Sequence, residues 1–149
     1  MARLRFVLNT TGEVACTTSL KTILHLISAA NTRVAVRGFG VSFDGISSTA
    51  GSAEVQLCIQ STSGTFTAAT LVREVIGTTE AFSSTGGHTA TVEPVISSVV
   101  RSYNVNPLTG YERAFAQDEE IELSGGTRIG LAVRASSSVN VHAFINAEE

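Results

Sequence analysis

Four carboxylates fall close together in this chain: Asp118, Glu119, Glu120 and Glu122. Paired carboxylates serve as acid and base in glycoside cleavage, and clustered ones hold calcium. The spacing weakens both readings. Neighbouring side chains on a strand point to opposite faces, so Glu119 and Glu120 diverge and only Glu120 and Glu122 share a side. The cluster reads as a solvated loop leading into a strand. The histidines, His25, His88 and His142, are scattered, and none has a second His or a Cys at zinc-ligand spacing. Gly38-Phe39-Gly40 is a GxG, but the residue three past Gly40 is Phe43 and no helix pattern follows, so the dinucleotide fingerprint fails. No P-loop and no GxSxG occurs. The expectation is therefore no catalytic residue, no cofactor and no metal.

Cys16 and Cys58 are far apart and form no CxxC, which disfavours metal or redox use. In AEVQLCIQ, Val55, Leu57 and Ile59 share one face, and Cys58 falls on the other with Glu54, Gln56 and Gln60. The thiols are expected to be free, with a Cys16–Cys58 disulfide as the alternative.

The elements that must position these groups read as strands. At 149 residues one domain is expected over 1–149, with residues 1–12 a candidate N-terminal arm. Charged residues make up 15% of the chain, against about 25% in typical domains. Ser and Thr supply the polarity instead, which suits strands and turns, and also suits a surface hidden in an assembly. Net charge is −3 and Tyr103 and Tyr111 are the only tyrosines, with no Trp, so neither a basic signal nor an aromatic platform for nucleic acid is present. Lys21 is the only lysine among ten cations, and interfaces favour Arg over Lys. MARLRFVLNTTG lacks the apolar run of a signal peptide, and no stretch is long enough for a membrane-spanning helix. Synthesis in the cytoplasm and no membrane partner are expected.

Alternation places Leu4, Phe6 and Leu8 opposite Arg3 and Arg5. Leu20 to Ser28 fits either a helix capped by Ser19 or a strand buried on both faces, and its surroundings favour strand. In Arg33 to Asp44 the apolar set changes phase, from Val34 and Val36 to Phe39, Val41 and Phe43. A glycine at that flip predicts a β-bulge near Arg37-Gly38. Asp44-Gly45 marks a turn. Further strands are expected at Ala53 to Ser61, His88 to Val92, Val95 to Val105 and Gly110 to Phe115, with Ser83 to Gly87 a loop and Asn106-Pro107 a stop. In the last thirty residues Ile129, Leu131 and Val133 alternate with Arg128, Gly130 and Ala132. Val139, Val141, Ala143 and Ile145 alternate with Asn140, His142, Phe144 and Asn146. Eight to ten short antiparallel strands with regular turns predict an all-β, jelly-roll-like sandwich or barrel.

The opening RFVLNTTGEVA, the strand RVAVRGFGVSFDG, the loop from Asn106 to Glu112 and the ending EIELSGGTRIGLAVRA…VNVHAFINAEE together resemble the jelly-roll type of tailed-bacteriophage head decoration, or cement, proteins. The resemblance implies a homotrimer on the exterior of the virion head, bound to the major capsid protein, with no enzyme activity and no cofactor. On this sequence, Arg3 and Arg5 become candidate capsid contacts. Arg128, Arg134, His142 and Phe144 become candidates for one subunit interface. Phe39 and Phe144 both fall opposite an apparent core set, so each is explained by a subunit interface or by a sheet buried on both faces; the bulge favours the second for Phe39. A ring of His142 around a symmetry axis would make assembly pH-sensitive. Two other classes fit the same architecture. A receptor- or carbohydrate-binding head would display exposed aromatics, and a cupin-like enzyme would need clustered His and carboxylate ligands.

Overall fold

A computed structural model describes residues 3–44 and 51–149. Among the described residues there are thirteen strands and no helix. In chain order they are β1 (Arg5–Asn9), β2 (Val14–Cys16), β3 (Lys21–Ile27), β4 (Val34–Asp44), β5 (Ala53–Gln60), β6 (Thr65–Ala69), β7 (Leu71–Arg73), β8 (Thr85–Val92), β9 (Ile96–Val105), β10 (Tyr111–Ala114), β11 (Ile121–Leu123), β12 (Arg128–Arg134) and β13 (Val139–Glu148).

Two antiparallel sheets form a sandwich. One runs β10-β4-β13-β1-β7, with β11 also on β4 and β2 also on β13; the other runs β6-β8-β3-β12-β5-β9. The pairing is nested. β1 and β2 pair with β13, β3 with β12, β4 with β10 and β11, and β5 with β9, and successive pairs fall alternately in the two sheets. First with last, second with next to last, is jelly-roll connectivity. Residues 65–92 are an insertion that widens both sheets, β6 and β8 beyond β3 and β7 beyond β1.

Period-two alternation builds the core. Phe6 and Leu8 of β1, Val139, Val141, Ala143 and Ile145 of β13, and Ile129, Leu131 and Val133 of β12 are all buried in it. Leu20 to Ser28 resolves as β3, a strand buried through most of its length. The predicted bulge is present. Asn146 pairs with Gly38 but Ala147 pairs with Val36, so Arg37 is the extra residue. The extra residue lets both Val36 and Phe39 face inward, and Phe39 is fully buried beside Tyr103, Tyr111 and Phe115.

Three expectations need revision. The strand count rises because β2, β7 and β11 hold three residues each, too few for alternation to register. Thr85 to Gly87, expected as loop, begins β8: Gly86 lies under Leu8 and Gly87 under Phe66, where a side chain would collide. The first twelve residues are no free arm over their described part, because Arg5–Asn9 pairs with β13 on one side and, at Phe6 to Leu8, with β7 on the other. The turn expected at Asp44-Gly45 runs into residues 45–50, outside the described residues. Cys16 and Cys58 lie on different sheets, both buried and both free.

Candidate interaction face

The outward surface of the seven-stranded sheet is built in rows, because paired residues on neighbouring strands point the same way. Asn9, Phe144, Gly40 and Glu112 form one row. Val72, Val7, Asn146, Gly38 and Ala114 form the next. Arg5, Glu148, Ala35 and Glu122 form a third. His142 stands opposite Ser42 beyond the first row.

The third row carries an ion network. Glu148 is 5% exposed, yet its carboxylate faces Arg3, Arg5 (Nε at 3.8 Å) and Arg37 (Nη1 at 3.1 Å). Arg37 also reaches Glu120, Nε to Oε1 3.3 Å. A buried carboxylate costs several kcal/mol unless cations and hydrogen bonds surround it. Here the bulge supplies Arg37 and β1 supplies Arg5. Arg3 and Arg5 remain 61% and 52% exposed, so each keeps an open side while serving Glu148.

The first row is different in character. Phe144 is half-buried and its ring lies over Gly40. Beside it is a concavity of about 530 Å³ lined by Asn9, Ser42, Tyr111, Glu112, His142 and Phe144 among others. His142 Nε2 is 3.9 Å from Glu13 Oε1 at the exposed rim.

The acidic cluster is dispersed over separate arginines. Glu119 pairs with Arg113 (3.1 Å), Glu120 with Arg37, and Glu122 with Arg33 (3.8 Å). The hydrogen bond from Arg113 holds the Glu119 carboxyl below its usual range. Among the described residues no three His, Cys, Asp or Glu side chains are placed to share a metal ion. The histidines are also apart. His88 sits between Thr11 Oγ1 (2.7 Å) and Thr89 Oγ1 (3.0 Å), and His25 is buried on β3 of the six-stranded sheet.

One expectation is overturned by topology. Arg128 and Arg134 belong to β12 of the six-stranded sheet, whereas His142 and Phe144 belong to β13 of the seven-stranded sheet. The link at 135–138 crosses between the sheets, so the outward sides of these consecutive strands point away from each other. The four residues do not line one surface. Arg134 pairs with Glu54, and Arg128 has a buried Nε without a partner. The sequence reading also missed Glu148 and Arg37 as ionic partners. Their signals were present: an outward position in the β13 alternation, and the bulge at the phase flip.

The two outer faces are unequal. That of the six-stranded sheet is crossed by the chain's own residues 93–95, which bond to Thr22 on β3 and to Ser61 and Thr62 after β5. The rows of the seven-stranded sheet carry no such covering among the described residues. No family model, no curated protein and no solved structure matches this chain.

Proposed function

We propose that this chain is a structural virion protein: a homotrimeric decoration protein that binds the major capsid protein on the exterior of a tailed-phage head and stabilises the expanded shell. The observation that carries the reading is the uncovered seven-stranded face. It presents the half-buried Phe144 and an ion network around Glu148, while the opposite face is crossed by the chain's own residues 93–95. The sequence resemblance to the jelly-roll decoration proteins supplies the partner.

In a closed trimer each copy meets its neighbours through two different patches. Patches on opposite faces of a sandwich would stack copies in an open row, so Arg128 and Arg134 do not join His142 and Phe144 in a closed contact. The reading keeps His142 and Phe144 for the subunit interface and Arg3 and Arg5 for the capsid. Six residue steps along β13 separate His142 from Glu148, about 20 Å at strand rise, so the two contacts do not compete. The action is mechanical and needs no cofactor. A protein that binds the expanded lattice and not the compact one shifts the balance toward it by mass action, and modest affinity per site suffices over many sites.

Two measurements test this. Light scattering gives the mass, and a single-chain mass removes the trimer. Co-sedimentation with undecorated heads, expanded and unexpanded, is expected to show binding to the expanded form alone; no binding to either removes the capsid role.

A second reading is favoured by the concavity beside Phe144. Asn9, Ser42 and Glu112 make no side-chain hydrogen bond or ion pair within the described residues, and they converge next to an aromatic ring. Rings stack on the apolar face of a sugar while amides and carboxylates take its hydroxyls. A receptor- or carbohydrate-binding head would use the site this way. Binding on a glycan array that is lost in Phe144→Ala would favour it over the first reading.

A further inference from the structure

The covering of the six-stranded sheet is held down over a buried histidine. β8 pairs with β3 only from Thr85 to His88. At Thr89 the backbone takes φ 54°, an uncommon conformation for a β-branched residue, and from there β8 continues with β6 to Val92. Glu93 then accepts the Thr22 amide at 3.0 and 3.2 Å. Val95 bonds to Ser61 (2.9 Å) and to Thr62 Oγ1 (2.8 Å). Since β12 lies between β3 and β5, residues 93–95 form a strap across it.

Where the strap crosses β12, His25, Gly130 and Cys58 form one row across three strands, and Thr22 and Gln60 link Glu93 of the strap to His25. Gly130 has no side chain, and the Gln60 amide fills the space a Cβ would occupy. Gln60 Oε1 is 2.5 Å from His25 Nδ1, and Gln60 Nε2 is 3.4 Å from Thr22 Oγ1 and 3.9 Å from Cys58 Sγ. Phe66 of β6 stacks on the imidazole, with ring centroids 4.4 Å apart and planes at 16°. An amide oxygen only accepts, so Nδ1 carries the proton and Nε2 is bare. That Nε2 is buried and has no partner.

We propose that this strap is a proton-operated latch: neutral His25 holds it closed, and protonation of His25 releases it locally and uncovers Cys58.

The groups around the ring make the charged form unwelcome. β12 turns Arg128 toward it, a like charge. β5 offers Gln60 and the Cys58 thiol, which burial pushes up to about 11 and keeps neutral. β6 offers Phe66, and the paired part of β8 offers Thr85, Gly86 and Gly87, none of them charged. Glu93 is engaged with the Thr22 amide, and Lys21 with Ala15 O at 3.4 Å. Protonation would place an N–H⁺ where no acceptor waits, a costly burial. Opening the strap gives that proton water. Burial lowers the His25 pKa most, the Gln60 hydrogen bond opposes it with a smaller effect, and Arg128 adds a still smaller lowering. The closed state is therefore undisturbed above the ordinary imidazole value and loses ground as pH falls below it.

Cys16 supplies an internal reference. It is buried on the other sheet and its thiol is likewise pushed up to about 11, so the reagent's own pH dependence cancels in a ratio. The experiment labels the native protein with a thiol reagent and measures Cys58 against Cys16 by mass spectrometry from neutral to mildly acid pH. The ratio is expected to rise toward about tenfold per pH unit below about 6.5, the limit for one linked proton. In His25→Gln the ratio is expected to stay flat. A flat ratio in the natural protein while it remains folded, or the same rise in His25→Gln, overturns the proposal. Should His25→Gln fail to fold, the imidazole resonance of the natural protein decides: a titration below the ordinary range, accompanied by shifts of the Thr22 and Ser61 amides, supports the latch. Titration at the ordinary value without those shifts overturns it. None of these outcomes depends on trimer or capsid binding.

Discussion

Phe144 and Gly40 stand directly across the β13–β4 pair, and the benzyl ring occupies the space that a side chain on residue 40 would fill. Gly40→Ala must therefore push the ring outward. The obstacle is the far end of a side chain, so the chain still folds, at a cost of about 1 kcal/mol, the low end for overpacking. The same substitution in a Phe144→Ala background should cost nearly nothing, and urea denaturation of the four proteins measures that coupling. An equal cost in both backgrounds would contradict the contact. In the trimer reading Gly40→Ala also weakens self-association, which light scattering reads.

Glu148 is the hub of the ionic row. Glu148→Ala leaves Arg37 facing only Glu120 and deprives Arg3 and Arg5 of their shared partner. Two of the arginines are half exposed and recover solvent. The expected loss is about 3 kcal/mol, the low end for breaking a buried pair. Denaturant unfolding checks it, and a loss below about 1 kcal/mol, the range of surface pairs, would show that solvent screens the network.

Phe39 joins β4 to the aromatic group of Tyr103, Tyr111 and Phe115. It is fully buried, so Phe39→Ala should destabilise by about 3–5 kcal/mol. Thermal unfolding tests this. A small change would return Phe39 to the list of interface candidates.

The two thiols are free and on different sheets. Adding a reductant should leave Tm unchanged, and a thiol reagent should count two reactive groups only after denaturation at neutral pH. A Tm that drops with reductant would reinstate the disulfide.

Stability should respond to acid in two steps. Unfolding exposes His25 at its ordinary pKa, so below about pH 6.5 the unfolded chain takes up a proton that the folded chain refuses. Stability from this group is complete above that value and falls as pH drops toward the lowered folded one. The carboxylates are shifted in the same direction and act at lower pH. Glu119, held down by Arg113, and Glu54, held down by Gln56 and then Arg134, contribute above the ordinary carboxylate value and lose that contribution as pH falls through their depressed ones. Urea midpoints measured between pH 7 and 5 isolate the first step, and His25→Gln should abolish it.

Much of this architecture was legible because side chains alternate. The β13 set, the β12 set and the bulge at Arg37 follow from which positions are apolar, and the bulge explains why Phe39 is core despite its phase. Alternation tells inside from outside but not which sheet a strand joins. Alternation alone therefore groups Arg128 and Arg134 with His142 and Phe144, because the crossing at 135–138 is a tertiary fact. Glycine is common in turns, so Gly86 and Gly87 suggest a loop, whereas here they admit Leu8 and Phe66. The strap over His25 was beyond the sequence altogether, since it depends on a link of three residues passing over a strand more than thirty positions away.

β13 lies between β4 on one side and β1 with β2 on the other, and it is the last of the thirteen strands in chain order. A ribosome delivers those other strands first, so the middle of the seven-stranded sheet stays unfilled until residues 139–148 have left the exit tunnel. Until then β1 and β4 expose backbone donors and apolar side chains with nothing between them. Completion of this sheet therefore waits on residues 139–148, and a nascent chain stalled before residue 139 should be a client for chaperones.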